Sequence, residues 1–145
     1  MDAVEVALRR TDSRAVPVFY FGFYGQVALQ LGDLEKAERI ISDNLALLRE
    51  AQSTHYEMES LCVLAMIRDA QGQREQAQEL FKQAIQTFEQ LDSRLDLGKA
   101  LFYRGQAQIE WGQEQSGRES VERALKIFKT CKANYWVSKA REITA

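Results

Sequence analysis

The stretch Gly72–Phe88, GQREQAQELFKQAIQTF, has two counterparts in the chain. They are Gly32–Leu48, GDLEKAERIISDNLALL, and Gly112–Phe128, GQEQSGRESVERALKIF. The three begin forty residues apart, and the chemistry repeats with the spacing. Five residues after each glycine comes a small residue, Ala37, Ala77 or Gly117. Nine after it comes a large apolar one, Ile41, Phe81 or Val121. Sixteen after it come Leu48, Phe88 and Phe128. A fixed period of this length marks a repeat architecture. Stacked repeats build an extended surface rather than one catalytic pocket.

Within the quoted stretch, Ala77, Phe81, Ala84, Ile85 and Phe88 recur at steps of three and four, which is a helix with one buried face. Upstream of each glycine the pattern continues. Seven residues before it stand Gly25, Ala65 and Gly105, and eleven before it Phe21, Leu61 and Leu101. Each unit therefore reads as two antiparallel helices. The first helices cover about 17–31, 55–71 and 95–111, and the second about 34–50, 74–91 and 114–131. The glycine provides the tight turn, where a left-handed backbone is cheap. The small residues mark where the two helices cross closely. Thr54 with Glu57 reads as a capping box opening a first helix, and Ser93 with Asp96 as a weaker version.

Small residue, turn glycine, alanine, large apolar residue, alanine: this order resembles the tetratricopeptide repeat. Gly25, Ala65 and Gly105 match the small residue of its first helix. Ala37 and Ala77 match the signature alanine of its second, with Gly117 a small replacement. Ala84 and Ala124 match the second signature alanine, where the first unit has Asn44. The familiar unit has about 34 residues, shorter than the 40 here. Its closing proline is absent, and the extra length is expected in the second helix or the connectors at Glu50–Tyr56 and Gln90–Asp96. Longer units of this type are similar to those in bacterial regulators and signalling ATPases. The resemblance implies an all-α, right-handed superhelical array of antiparallel helix hairpins, a single domain over 1–145. Its expected parts are a partial repeat or cap at 1–10, hairpins at 17–50, 55–91 and 95–131, and a terminal helix at 134–145. Half-units at both ends suit a piece of a longer regulatory or signalling protein.

The bulk properties narrow the function. The 145 residues are 46% hydrophobic and 28% charged, with a net charge of −2. No basic field exists to draw nucleic acid or an anionic membrane. No apolar run reaches the roughly 18 residues of a membrane span. With no export signal in view, a cytoplasmic location is expected. Cys62 and Cys131 lack metal-binding spacing, and the eight glycines follow the repeat instead of clustering into a phosphate loop. His55, the one histidine, reads as a surface residue at a helix entrance, and Cys62 as a packed thiol. Neither catalysis nor a cofactor or metal is expected.

The resemblance also implies a concave groove lined by the first helices. Its expected partner-binding positions are Phe19, Gly22, Gln26 and Gln30, then Glu59, Cys62, Met66 and Asp69, then Lys99, Phe102, Gln106 and Glu110. Methionine, aromatics and glutamines suit adaptable apolar contacts with hydrogen bonding. Chaperone-tail adaptors of this family hold a peptide's terminal carboxylate with lysines and asparagines at such positions. Only Lys99 is cationic here, so that clamp is absent. A protein or peptide is the expected partner, with a ligand-sensing regulatory module as the alternative reading. A second copy of the chain is another expected partner, because Phe19, Tyr20, Phe21, Phe23 and Tyr24 crowd more aromatic surface onto one helix than a single face buries.

Overall fold

The computed structural model describes the backbone of residues 15–145 and the side chains from residue 22 onward. The expected partial repeat at 1–10 lies outside the described residues, as do the side chains of Phe19, Tyr20 and Phe21. Among the described residues seven helices follow one another: α1 (Ala15–Gln30), α2 (Leu34–Glu50), α3 (Thr54–Ala70), α4 (Arg74–Gln90), α5 (Arg94–Glu110), α6 (Glu114–Thr130) and α7 (Asn134–Thr144). There is no strand among the described residues. The chain is an all-α helical repeat solenoid.

Every turn is built the same way. The glycines at 32, 72 and 112 take φ of 79°, 77° and 83°. Gln52, Asp92 and Lys132, in the turns between hairpins, take the same left-handed conformation at 53°, 52° and 56°. The residue after each then donates its N–H five residues back, as Gln73 does to the carbonyl of Arg68 at 2.8 Å and Ser53 to that of Leu48 at 2.9 Å. This 6→1 bond closes a Schellman-type end and satisfies a carbonyl the helix leaves unpaired. The physical beat is thus twenty residues, with α2 to α6 each 17 residues long. The connectors are no longer than the hairpin turns. The extra length lies in the helices, first and second alike, so of the two places expected for it, the second helix or the connectors, the connectors drop out.

Neither capping box forms. Ser53, not Thr54, is the N-cap of α3, and the Glu57 carboxylate instead accepts from Arg49 Nε on α2 at 2.8 Å. Ser93 occupies the N-cap of α5 without a side-chain cap bond. Asp33 does cap α2, accepting from the Lys36 N–H at 3.1 Å.

Within a hairpin the helices cross at the small residues. A Cβ on Gly105 would come within 2.8 Å of the Gly117 carbonyl, and one on Gly117 within 2.7 Å of the Gly105 carbonyl. Backbone meets backbone there, and nothing larger than glycine fits. Between crossings, Ile41, Leu48, Leu61, Ile67, Phe81, Phe88, Leu101, Val121 and Phe128 are fully buried. Each such side chain contributes roughly 1.5–3 kcal/mol by leaving water.

The first helices α1, α3 and α5 touch one another, whereas the second helices approach each other far less. This difference bends the array, with the first helices on the inside of the curve. It also explains their composition. α3 and α5 are packed on several sides, so buried residues such as Met58, Leu61, Val63 and Ile67 run around them instead of forming one stripe. The second helices keep a solvated face and a clean apolar stripe.

Candidate functional site

A cavity of about 250 Å³ opens on the concave face. Its floor is α3, with Glu59, Cys62, Val63 and Met66. One wall is α1, with Gly22, Phe23 and Gln26. The other is α5, with Asp96, Lys99, Ala100 and Tyr103, and Trp136 of α7 closes the far end. The repeat dictates the setting: positions four apart on each first helix point into the curve. Gln26 Nε2 donates to the Tyr103 hydroxyl at 3.0 Å, spanning from α1 to α5 above α3. Phe23 lies 64% exposed at the rim.

The expected groove residues divide. Gln26, Glu59, Cys62, Met66 and Lys99 line the cavity, together with Gly22. Gln30 and Glu110 are exposed and Gln106 half-buried, all outside it. Phe102 is a core residue, 3% exposed, with its ring 6.4 Å from that of Phe128 and 5.7 Å from that of Trp136. Its ring fills the space between the last hairpin and the terminal helix. Asp69 is a strut, accepting from Trp111 Nε1 at 2.6 Å and so tying α3 to the next hairpin. Of the aromatics expected at a self-contact, Phe23 is exposed and Tyr24 packs partly against the core. Phe19 and Tyr20 have no described side chain.

Polar chemistry collects at one corner. His55 Nε2 lies 3.3 Å from Asp96 Oδ2 and 3.5 Å from Glu59 Oε1, and its Nδ1 lies 3.4 Å from Ser93 Oγ. His55 is therefore no plain surface residue. Its ring bridges α3 and α5 and stacks edgewise on Phe88, with centroids 5.8 Å apart. Ser93 and Asp96, expected to cap α5, are turned toward it instead. Burial pushes the Glu59 carboxyl above the ordinary carboxylate range, and the neighbouring Asp96 charge adds to this while His55 and Lys99 oppose it. Burial also pushes the Cys62 thiol up to about 12, with Glu59 and Asp96 contributing. Cys62 is thus a buried thiol in the cavity floor, the setting of a structural rather than a reactive cysteine. At the other end, Lys99 Nζ sits 5.4 Å from the Trp136 ring centroid, a cation–π contact that holds the groove's one expected cation.

The sequence reading missed Asp96, Tyr103 and Trp136 as cavity residues. The repeat register held a signal for Trp136, since residues forty apart share a face and 136 aligns with 96 and 56.

No helix among the described residues is long and apolar enough to cross a membrane. No curated protein matches the chain in sequence. The tetratricopeptide repeat family model matches residues 20–90, spanning most of the first two hairpins. The third hairpin continues them at the same forty-residue spacing and with the same turn geometry. The chain carries tetratricopeptide repeats over residues 20–90.

Proposed function

We propose that this chain recognises a protein or peptide segment along its concave face, with the cavity receiving one anchoring side chain. Tetratricopeptide repeats generally mediate protein–protein interaction and typically act as non-catalytic scaffolds, which supports this reading. The size of the cavity carries the reading. At about 250 Å³ it falls below the roughly 300–1,000 Å³ of ordinary small-molecule sites. It suits a single side chain presented by a partner better than a whole regulatory ligand, and so favours recognition over ligand sensing. Its lining supports this: Phe23, Met66, Tyr103 and Trp136 offer adaptable apolar contact, and Gln26 and Glu59 offer hydrogen bonds. The proposal includes a setting in a larger regulatory or signalling protein, on the resemblance of its long repeats to those of bacterial regulators.

Selection from a displayed peptide library, followed by affinity measurement, tests the reading. Peptides so selected are expected to bind at least tenfold more weakly to Met66→Glu, which puts a charge on the cavity floor. Equal binding to this variant sinks the reading. Light scattering of wild type and Phe23→Ser separates a second copy from a foreign partner: a shift toward monomer on substitution identifies the rim as a self-contact.

A further inference from the structure

His55 and Glu59 stand one turn apart on α3, and Asp96 reaches them from the first turn of α5. The donor atoms of these three side chains lie within 4.8 Å of one another. The two pairs made by His55 Nε2 are 3.3 and 3.5 Å apart. Ligands held about 2.0–2.2 Å from a zinc ion stand roughly 3.3–3.6 Å apart along the edges of a tetrahedron. His55 Nε2 therefore already stands at coordination spacing from both carboxylates, and the carboxylates lie within 4.8 Å of each other.

Two further observations set this cluster apart from an ordinary ion pair. First, Ser93 Oγ lies 3.4 Å from His55 Nδ1. With Nδ1–H donating to that hydroxyl, the lone pair of Nε2 faces the carboxylates, which is how an outer hydrogen bond fixes the tautomer of a metal-bound imidazole. Second, the repeat itself does not require the cluster. Forty residues on, the same positions are Leu95, Lys99 and Trp136, and Ser93 corresponds to Ala133. That junction is made by apolar packing and the Lys99–Trp136 contact. The α3–α5 junction has four polar groups in their place, two of them carboxylates that repel when both are ionised.

We propose that His55, Glu59 and Asp96 form a three-ligand site for a first-row divalent metal ion, with zinc the best match. One imidazole with two carboxylates suits such an ion, and the donor spacing suits its small radius. Glu59 and Asp96 also line the groove cavity, so the open fourth position faces the groove. Water fills it in the free protein, and a donor group on a bound segment takes it in a complex.

Calorimetric titration of the tag-free chain with zinc chloride is the test. Cys131→Ser serves as the background, because it removes the exposed free thiol as a competing ligand. One saturable site per chain is expected, and cobalt(II) in place of zinc should show the visible absorption of a tetrahedral ion. His55→Ala and Asp96→Asn are each expected to weaken binding at least tenfold. Ser93→Ala, which touches no metal, should weaken it by about 10–100-fold. Circular dichroism without metal confirms that each variant keeps its helix content. A ligand variant that does not is replaced by Glu59→Gln, which preserves side-chain volume. Absence of saturable binding in the parent overturns the proposal, and so does binding that survives the ligand substitutions.

Discussion

Gly72 and Gly105 are both glycine, one for its backbone conformation and the other for lack of space. At Gly72 the backbone is left-handed, with φ of 77°, and a Cβ would meet no atom within 4 Å. At Gly105 a Cβ would run into the Gly117 carbonyl at 2.8 Å and Val121 Cγ2 at 2.6 Å. Gly72→Ala therefore costs only backbone strain, about 1–2 kcal/mol. Gly105→Ala forces the α5–α6 crossing apart and costs about 1–3 kcal/mol. Urea denaturation of both variants checks this, and the two are separable by structure as well as by size. Only Gly105→Ala should alter the near-ultraviolet signal of the aromatic cluster around Phe128 and Trp136. An unchanged midpoint for Gly105→Ala would show that the helices do not cross as closely as 2.8 Å implies. Both glycines were legible in the repeat. Gln52, Asp92 and Lys132 were not, because side chains that rarely adopt positive φ give no signal that the chain turns left-handed there.

The meeting of α2 with α3 holds a pair whose origin is clear only across elements. Asn44 Nδ2 donates to Ser60 Oγ at 2.6 Å, with both residues almost fully buried. Among the described residues Asn44 Oδ1 has no partner. The same two positions in later units are Ala84 with Ala100, and Ala124 with Ala140, all buried. One repeat junction thus uses a hydrogen bond where two others carry buried alanines. Ser60→Ala alone strands the buried amide and should cost about 1–3 kcal/mol. Asn44→Ala with Ser60→Ala reproduces the alanine junction and should lie within about 1 kcal/mol of wild type, or above it. A double-mutant cycle by urea denaturation measures the coupling, and simple additivity of the two losses contradicts the account. The sequence showed that Asn44 departs from the signature alanine. It did not show the compensating Ser60, because the helices carrying them pair only in three dimensions.

At the scale of the molecule, stability is distributed along a line of nearest neighbours, and opening of one junction need not unfold the rest. The two cysteines report on this. Cys131 is exposed, while Cys62 is buried on α3 with its thiol pushed up to about 12. Under native conditions an alkylating reagent should mark Cys131 quickly and Cys62 only when α3 parts from its neighbours. Mass spectrometry over a urea series is expected to show one adduct, then two near the main transition. Rapid double labelling in buffer would mean that the groove floor is open. By itself the sequence determined the helices, the hairpin pairing, the turn glycines and the small-residue crossings, since each follows from spacing along one chain. The resemblance to the tetratricopeptide repeat put Gln26, Glu59, Cys62, Met66 and Lys99 among the expected groove positions, and these five line the cavity. Only the tertiary structure decided which inner residues share a cavity. It moved Phe102 into the core, made Asp69 a strut for Trp111, and gathered His55, Ser93 and Asp96 at one corner. The physical reason is curvature. Periodicity assigns a residue to a face, but the distance between faces of successive hairpins depends on how closely the first helices pack, and that is set by all the junctions together.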